Sequence, residues 1–364
     1  MKSRNSIFAL VALALLVSCR PEPVLNVSTL ISGLDHPWDI GWLPDGTVLV
    51  TERPGRLNIY VNGPTNLPVV VAPADLVAQG EAGMLGLEVD PLFSSNGYVY
   101  VCMASNAGGA NDIRLVRFTL SNTGATVLAR TDIVTGIPYA GGRHSGCRPR
   151  FGPDDYLWVG TGDAAIGTVP QDDNSLGGKV LRVTRDGAAA PDNPGGRLWY
   201  TKGHRNVQGI AFRPFVGMVG VSVEHGPAFD DELNPLLPGN FGWDPVPGYD
   251  ESQPMTDLNK FSNAIESIWS SGSPTIAPSG ATFLMGPQWL SLNTYLAVAT
   301  LKTQHLHLFL ISSDSQYVGA KIRITNEGRL RSPRQGPDGN LYITTDGTGS
   351  GGKVLKVVPT DPRT

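Results

Sequence analysis

Gly336-Pro337-Asp338-Gly339-Asn340-Leu341-Tyr342-Ile343 is a Pro-Asp-Gly turn that feeds a short apolar strand, and the same phrase returns along the chain. Close copies are Leu43-Pro44-Asp45-Gly46 into Thr47-Val48-Leu49-Val50, and Gly152-Pro153-Asp154-Asp155 into Tyr156-Leu157-Trp158-Val159. Looser copies are Gly97-Tyr98-Val99-Tyr100-Val101, Gly217-Met218-Val219-Gly220-Val221 and Thr294-Tyr295-Leu296-Ala297-Val298, which brings the number to six. Their separation of roughly 45 to 80 residues suits four-stranded antiparallel blades with variable loops, because a blade needs roughly 40 residues. The expected fold is therefore all-β, a six-bladed β-propeller over residues 29–360. Radial repetition leaves few exposed sheet edges, which is how many short strands avoid pairing with other chains. Two stacked sandwiches would need a linker and a composition break near the middle, and neither is visible.

The composition agrees. Of 364 residues, 41% are hydrophobic and 16% charged, with 44 Gly and 29 Pro, so a large core is punctuated by many turns. A net charge of -4 with no Lys/Arg run argues against nucleic acid as a partner, since neutralising phosphates needs a clustered basic surface. A small molecule is the better expectation.

At the N-terminus, Lys2 and Arg4 precede an apolar run from Ile7 to Val17 that is too short to span a bilayer. It ends in Leu16-Val17-Ser18-Cys19, similar to a bacterial lipoprotein cleavage box. Residues 1–19 are expected to be a signal segment, Cys19 the lipidated first residue and 20–28 a short linker, giving an exported protein held to a membrane only by acyl chains. An ordinary cleaved signal is the alternative. Cys102 and Cys147 would then meet an oxidising compartment, and both a disulfide and two inert buried thiols remain open.

Common catalytic signatures are missing: there is no Gly-x-Ser-x-Gly, no His-Glu-x-x-His and no Walker loop. Chemistry must come from dispersed loops. Gly141-Gly142-Arg143-His144-Ser145-Gly146 places a histidine between glycines, either a base that a ligand approaches closely or a solvated turn residue. Gly203-His204-Arg205-Asn206-Val207-Gln208-Gly209 reads either as a site for an anionic or polyhydroxylated ligand or as a network joining two blades. The acidic stretch from Glu224 to Asn234, followed by Gly239-Asn240-Phe241-Gly242-Trp243, offers carboxylates and carbonyls to a hard cation, or forms a solvated face. Arg329 and Arg331 flank Leu330, so two guanidiniums face one space and call for an anion between them; a carboxylate-rich ligand would supply it.

In order along the chain, HPWDIGWLPDG, GEAGMLGL, RHSGCRPRFGPDD, GHRNVQG, EHGPAFDDELN, GNFGW, PTIAPSG and RLRSPRQGPDG make the sequence resemble the soluble sugar dehydrogenases that use pyrroloquinoline quinone (PQQ). The likeness is strongest to the short aldose sugar dehydrogenase branch of the glucose/sorbosone dehydrogenase family. It implies oxidation of the anomeric hydroxyl of an aldose, with PQQ and calcium as cofactors. His144 matches the general base, and Arg205 and Asn206 match residues at the reactive carbonyl. Lys302, Arg329 and Arg331 match the cations that hold the carboxylates, while Glu81 and Thr275 line the cofactor cleft. The Gly226 and Pro227 carbonyls match calcium ligands, and Glu232 with the Phe241 carbonyl resembles a second, structural calcium site.

Arg143 stands where the better-known glucose dehydrogenases have aspartate, Ser273 where they stack a tryptophan, and Glu81 where they have glutamine. These departures bear on substrate and cofactor affinity more than on reaction class. A calcium-dependent propeller lactonase would not need three cations for carboxylates. A lipid-anchored propeller that binds sugars or proteins without turnover would have no use for both a base and an anion clamp. The expected partners are an aldose substrate and an electron acceptor that the sequence does not identify, with the chain a monomer or homodimer.

Overall fold

The structure is a computed structural model that describes residues 20–213 and 220–364. Its strands form six small sheets arranged as a six-bladed β-propeller. From the channel outward, blade 1 runs Pro37–Trp42, Val48–Glu52, Arg56–Tyr60 and Val69–Val71; blade 2 runs Met84–Val89, Tyr98–Ser105, Asp112–Leu120 and Val127–Ile137. Blade 3 comprises Gly146–Phe151, Leu157–Thr161, Lys179–Val183 and Trp199–Lys202, with Gly239–Asn240 added in parallel at its edge. Blade 4 comprises Val207–Phe212, Gly220–Glu224, Glu232–Pro235 and Trp269–Ser270; blade 5 comprises Pro278–Phe283, Leu296–Thr300, Leu306–Ile311 and Tyr317–Arg323. Blade 6 is Leu330–Gln335, Leu341–Thr345 and Gly352–Thr360, completed by Val24–Leu34 from the start of the chain.

Each copy of the turn-and-strand phrase falls on the second strand of a different blade. For the fourth, residues 217–219 lie outside the described residues and the strand is described from Gly220. The linker expected over 20–28 is corrected in part. Val24 to Ser28 pair antiparallel with Thr360 to Lys356, because the ring closes only when a strand from one end of the chain completes the blade made by the other. Residues 1–19, with the expected signal segment and the Cys19 lipidation site, lie outside the described residues.

The core lies between blades, where their faces pack. Leu49, Ile59, Leu87, Val101 and Val116 join blades 1 and 2, while Tyr100, Leu115, Leu157 and Leu181 join blades 2 and 3. Cys102 and Cys147 form a disulfide in this second interface, with Cα atoms 5.7 Å apart. Closing a loop of 45 residues removes chain entropy from the unfolded state that is equivalent to about 4 kcal/mol.

All six innermost strands are bulged near their first residues, at Pro37/Asp39, Met84/Leu87, Gly146/Arg148, Val207/Gly209, Pro278/Ala281 and Leu330/Ser332. A bulge turns side chains out of the regular alternation. Here it happens at one end of the channel, where the loops gather. Crowding at the axis explains glycine in these strands: a Cβ on Gly280 would lie 2.9 Å from the Ser332 Cα.

A buried ionic network ties the inner strands together. The Asp39 carboxylate, fully buried, accepts from Arg150 at 3.0 Å and from the Ser332 hydroxyl at 2.7 Å, and pairs with Arg148 at 3.0 Å. Burial opposes its charge, but the Arg150 and Arg148 guanidiniums hold its carboxyl far below the usual range. Removing one member of such a network strands the others without a counter-charge. Asp39→Ala is therefore expected to lower stability at pH 7 by about 3 to 5 kcal/mol, read by urea unfolding.

Candidate active site

The bulged ends of the inner strands and the loops before them enclose a cleft of about 430 Å³, lined by Trp38, Arg53, Glu81, Gln208, His225, Ala277, Arg329, Arg331 and Asp346 among others. An adjoining recess of about 280 Å³ shares Glu81, His225 and Ala277 and adds Arg143, His144, Arg205, Asn206, Gly226, Pro227, Asp231 and Thr275. Residues from all six blades and their connecting loops thus converge on one mouth of the channel.

His144 is 4% exposed. Its Nδ1 lies 2.8 Å from the Asp163 Oδ1. Asp163 is itself fully buried and also accepts from the Trp243 indole at 2.9 Å, the Tyr249 hydroxyl at 2.7 Å and the Ala165 amide at 2.8 Å. A carboxylate only accepts, so it sets the imidazole with its proton on Nδ1 and the Nε2 lone pair free. Nε2 makes no hydrogen bond among the described residues, and the imidazole lines the recess. Burial, helped by the Asp163 charge, raises the Tyr249 phenol well above its ordinary range, so it remains a donor.

Arg205 donates to the Gly226 carbonyl at 2.9 Å and to Glu251 at 2.5 Å, and Glu251 also accepts from Arg143 at 2.7 Å. Arg143 is thus tethered across the mouth beside His144. Asn206 is fixed by accepting from the Gly146 amide at 3.1 Å, while its amide reaches Glu81 at 3.4 Å. Of the two readings of the 203–209 segment, the structure shows the network between blades and places the other polar residues on the recess. His204 joins blades 3 and 4, bonding Thr201 and Glu224 at 2.7 Å each, while Arg205 and Asn206 face the recess.

The anion between Arg329 and Arg331 is corrected. Asp346 supplies it, 3.0 Å from Arg329 and 3.2 Å from Arg331, because the chain turns after Thr345 and the Asp346 amide bonds the Arg329 carbonyl. Both arginines still line the cleft, and Arg53 joins them. Lys302 is exposed at the rim and donates to the Thr275 hydroxyl at 2.7 Å. Against its burial, Arg331 and Arg329 hold the Asp346 carboxyl at about 2. A carboxyl depressed on folding adds stability above its unfolded pKa, and that stability disappears as pH falls through the folded value. Asp346→Asn is expected to lose about 2 kcal/mol at pH 7 and to flatten the decline of stability from pH 4 to 2, measured by urea unfolding.

Several buried polar atoms around the cleft have no partner among the described residues: Arg53 Nε, Arg205 Nε, His225 Nε2 and Gln208 Oε1. Burial, with the Arg205 guanidinium, pushes the His225 imidazole down to about 3, so it stays neutral. Buried orphans are costly unless a ligand satisfies them. Trp38 borders the cleft beside them, almost fully buried, with Arg148 4.0 Å and Arg331 5.6 Å from its ring centroid. A polar, anionic ligand fits this set.

The expected calcium ligands fall into two places. Gly226 and Pro227 lie at the recess, the Gly226 carbonyl already accepting from Arg205. Glu232 is buried away from them beside Glu224, with Asn234 donating to both carboxylates, and the Phe241 ring stacks on His204 at 4.6 Å. Burial and the Glu224 charge push the Glu232 carboxyl well up. A pair of buried like charges is a donor set that a divalent cation would relieve. Among the described residues, no group of three or more His, Cys, Asp or Glu side chains is arranged to hold a metal ion.

Sequence reasoning missed Asp163, Tyr249, Glu251, Asp346 and Arg53. Asp163 and Asp346 each follow the second strand of a blade, in Thr161-Gly162-Asp163 and Thr345-Asp346-Gly347, a shared placement that a blade-by-blade reading could have found. Tyr249 and Glu251 sit in a long irregular loop that carries no local signal.

Residues 34–356 match the family described as glucose / sorbosone dehydrogenase. Protein slr1608 of Synechocystis sp. (strain ATCC 27184 / PCC 6803 / Kazusa) is 32% identical over 359 residues, 89% of this chain and 85% of its own. Aldose sugar dehydrogenase YliI of Escherichia coli (strain K12) is 28% identical over 352 residues, 92% and 93% of the two chains. The solved PQQ-bound form of aldose sugar dehydrogenase from Streptomyces coelicolor is similar in fold with a TM-score of 0.77 at 29% identity, covering 93% of this chain and 99% of the other.

Proposed function

The chain belongs to the glucose/sorbosone dehydrogenase family, and from that premise we propose that it oxidises the anomeric hydroxyl of aldose sugars to lactones, using PQQ and calcium with His144 as general base. The observation that carries this reading is the imidazole anchored through Nδ1 by Asp163, with Nε2 unbonded in a recess next to a cleft rich in guanidinium groups.

His144 Nε2 takes the proton of the sugar hydroxyl, and the Asp163 carboxylate stabilises the imidazolium so formed while Tyr249 and Trp243 keep that carboxylate in place. Arg53, Arg329 and Arg331, with Lys302 at the rim, would hold the cofactor carboxylates. Arg205 and Asn206 reach the recess from the blade 3 side, where the guanidinium favours developing negative charge. Gly226 and Pro227 would offer carbonyls to a calcium ion, with Glu81 and Thr275 beside them, and the Glu232 cluster would take a second, structural one. When bound, PQQ supplies the hydride acceptor and calcium the Lewis acid that polarises it. The protein is read as exported through residues 1–19 and anchored at Cys19, and the Cys102–Cys147 disulfide suits an oxidising compartment.

The test is dye reduction by the protein without residues 1–19, prepared free of cofactor and supplied with PQQ and calcium. Reduction should need both additions and an aldose with a free anomeric hydroxyl, and methyl glycosides should be inert. A protein that fails to bind PQQ under these conditions would overturn the reading and bring the lactonase or pure binding roles forward.

A further inference from the structure

We propose that the Cys102–Cys147 disulfide positions His144 for proton transfer, an inference that rests on the reading of His144 as the base. The segment carrying the imidazole has little regular support. Gly141, Gly142, His144, Gly146 and Cys147 all have positive φ, at +61°, +77°, +47°, +52° and +63°. Three of these are glycines, for which such values are ordinary, but His144 and Cys147 carry a Cβ and adopt the left-handed region only where their surroundings impose it. The segment is held by scattered single bonds rather than a ladder: the Arg143 amide donates to the Ala140 carbonyl at 3.3 Å, the Glu81 amide to the Gly142 carbonyl at 2.8 Å, Ser145 Oγ to the Gly142 carbonyl at 3.2 Å and the Gly146 amide to Asn206 at 3.1 Å.

Cys147 occupies the bulge of its inner strand, the extra residue between Gly146 opposite Thr161 and Arg148 opposite Gly160. The residues in the same place in blades 1, 4 and 6 are Trp38, Gln208 and Arg331, and all three line the cleft. Cys147 instead turns into the core between blades 2 and 3, fully buried, and is bonded to Cys102 in the middle of Tyr98–Ser105. That strand is buried along nearly all its length and paired on both sides. The tie therefore fixes a point three residues from His144 to a rigid element of the neighbouring blade. One contact shows how little room remains: a Cβ on Gly162, the residue before Asp163, would lie 1.8 Å from the His144 carbonyl oxygen. Loss of the tie lets Gly141–Gly146 relax and carries the imidazole away from Asp163. A pure stability role would leave that geometry unchanged in the folded protein.

The test compares wild type with Cys102→Ala/Cys147→Ala and Cys102→Ala/Cys147→Gly at a temperature where near-ultraviolet circular dichroism shows each folded. The glycine variant accepts positive φ freely, so it removes the cross-link without asking alanine to hold that conformation. The first readout is the imidazole ¹⁵N spectrum of cofactor-free protein, tractable with six histidines; the His144 signature of a single Nδ1–H tautomer bonded to Asp163 should be lost. The second is steady-state kinetics with PQQ and calcium, where kcat should fall by about 10- to 100-fold, KM for the aldose should hold, and the acid limb of the pH profile should move. A folded variant with the wild-type His144 spectrum, kcat and pH profile would overturn the proposal. Altered His144 signals in protein whose wild type shows no turnover would keep the positioning role and reject the enzymatic reading instead.

Discussion

His144→Ala is expected to lower kcat for aldose oxidation by about 10³-fold while PQQ still binds with wild-type affinity. The imidazole is the group whose free nitrogen faces the recess while its other nitrogen is held by a buried carboxylate. Its removal takes away the proton acceptor and leaves the guanidinium clamp in place. Asp163→Asn should give a loss of the same order with the histidine still present, because an amide donor opposite Nδ1 favours the tautomer that puts the proton on Nε2. Stopped-flow reduction and a PQQ titration on each variant separate chemistry from binding. Turnover unchanged in His144→Ala would place the base elsewhere.

Arg329→Ala/Arg331→Ala is expected to weaken PQQ binding by about 10²- to 10⁴-fold, with charge-assisted contacts contributing about 1.5 to 3 kcal/mol each and tenfold in affinity corresponding to about 1.4 kcal/mol. Arg331, with its side chain 11% exposed, should account for more of the loss than Arg329 at 46%, where solvent screens the charge. The measurement needs care with Asp346. Stripping both guanidiniums leaves its carboxylate, on a side chain only 8% exposed, without these partners, so the double variant should also be made with Asp346→Asn to keep the cleft folded. A PQQ titration matching wild type in that triple variant would assign the clamp to Arg53 and Lys302.

Much of this was legible in the residues. A turn feeding a short apolar strand marked one strand in every blade, with Pro-Asp in the turn of three of them, because a tight turn and a short apolar run are local properties. His144, Arg205, Asn206, Glu81, Thr275, Arg329 and Arg331, all named from the sequence, lie around one mouth. What escaped were partners rather than principals. Asp346 was overlooked because its role depends on a turn that folds it back onto Arg329 and Arg331, and the anion they require was assigned to a ligand instead. Tyr249 reaches Asp163 across 86 residues of sequence, a separation at which no spacing rule operates.

Sequence by itself determined the fold class, the number of blades and the polar loops, since periodicity and turn chemistry are written in neighbouring residues, while the reaction class was implied only by the family resemblance that the order of those loops carries. Only the tertiary structure decided that Cys102 and Cys147 pair and that the first strand closes blade 6. Each of these depends on the closing of the ring, which sets the distance between residues of different blades, and no local property of either partner contains that distance.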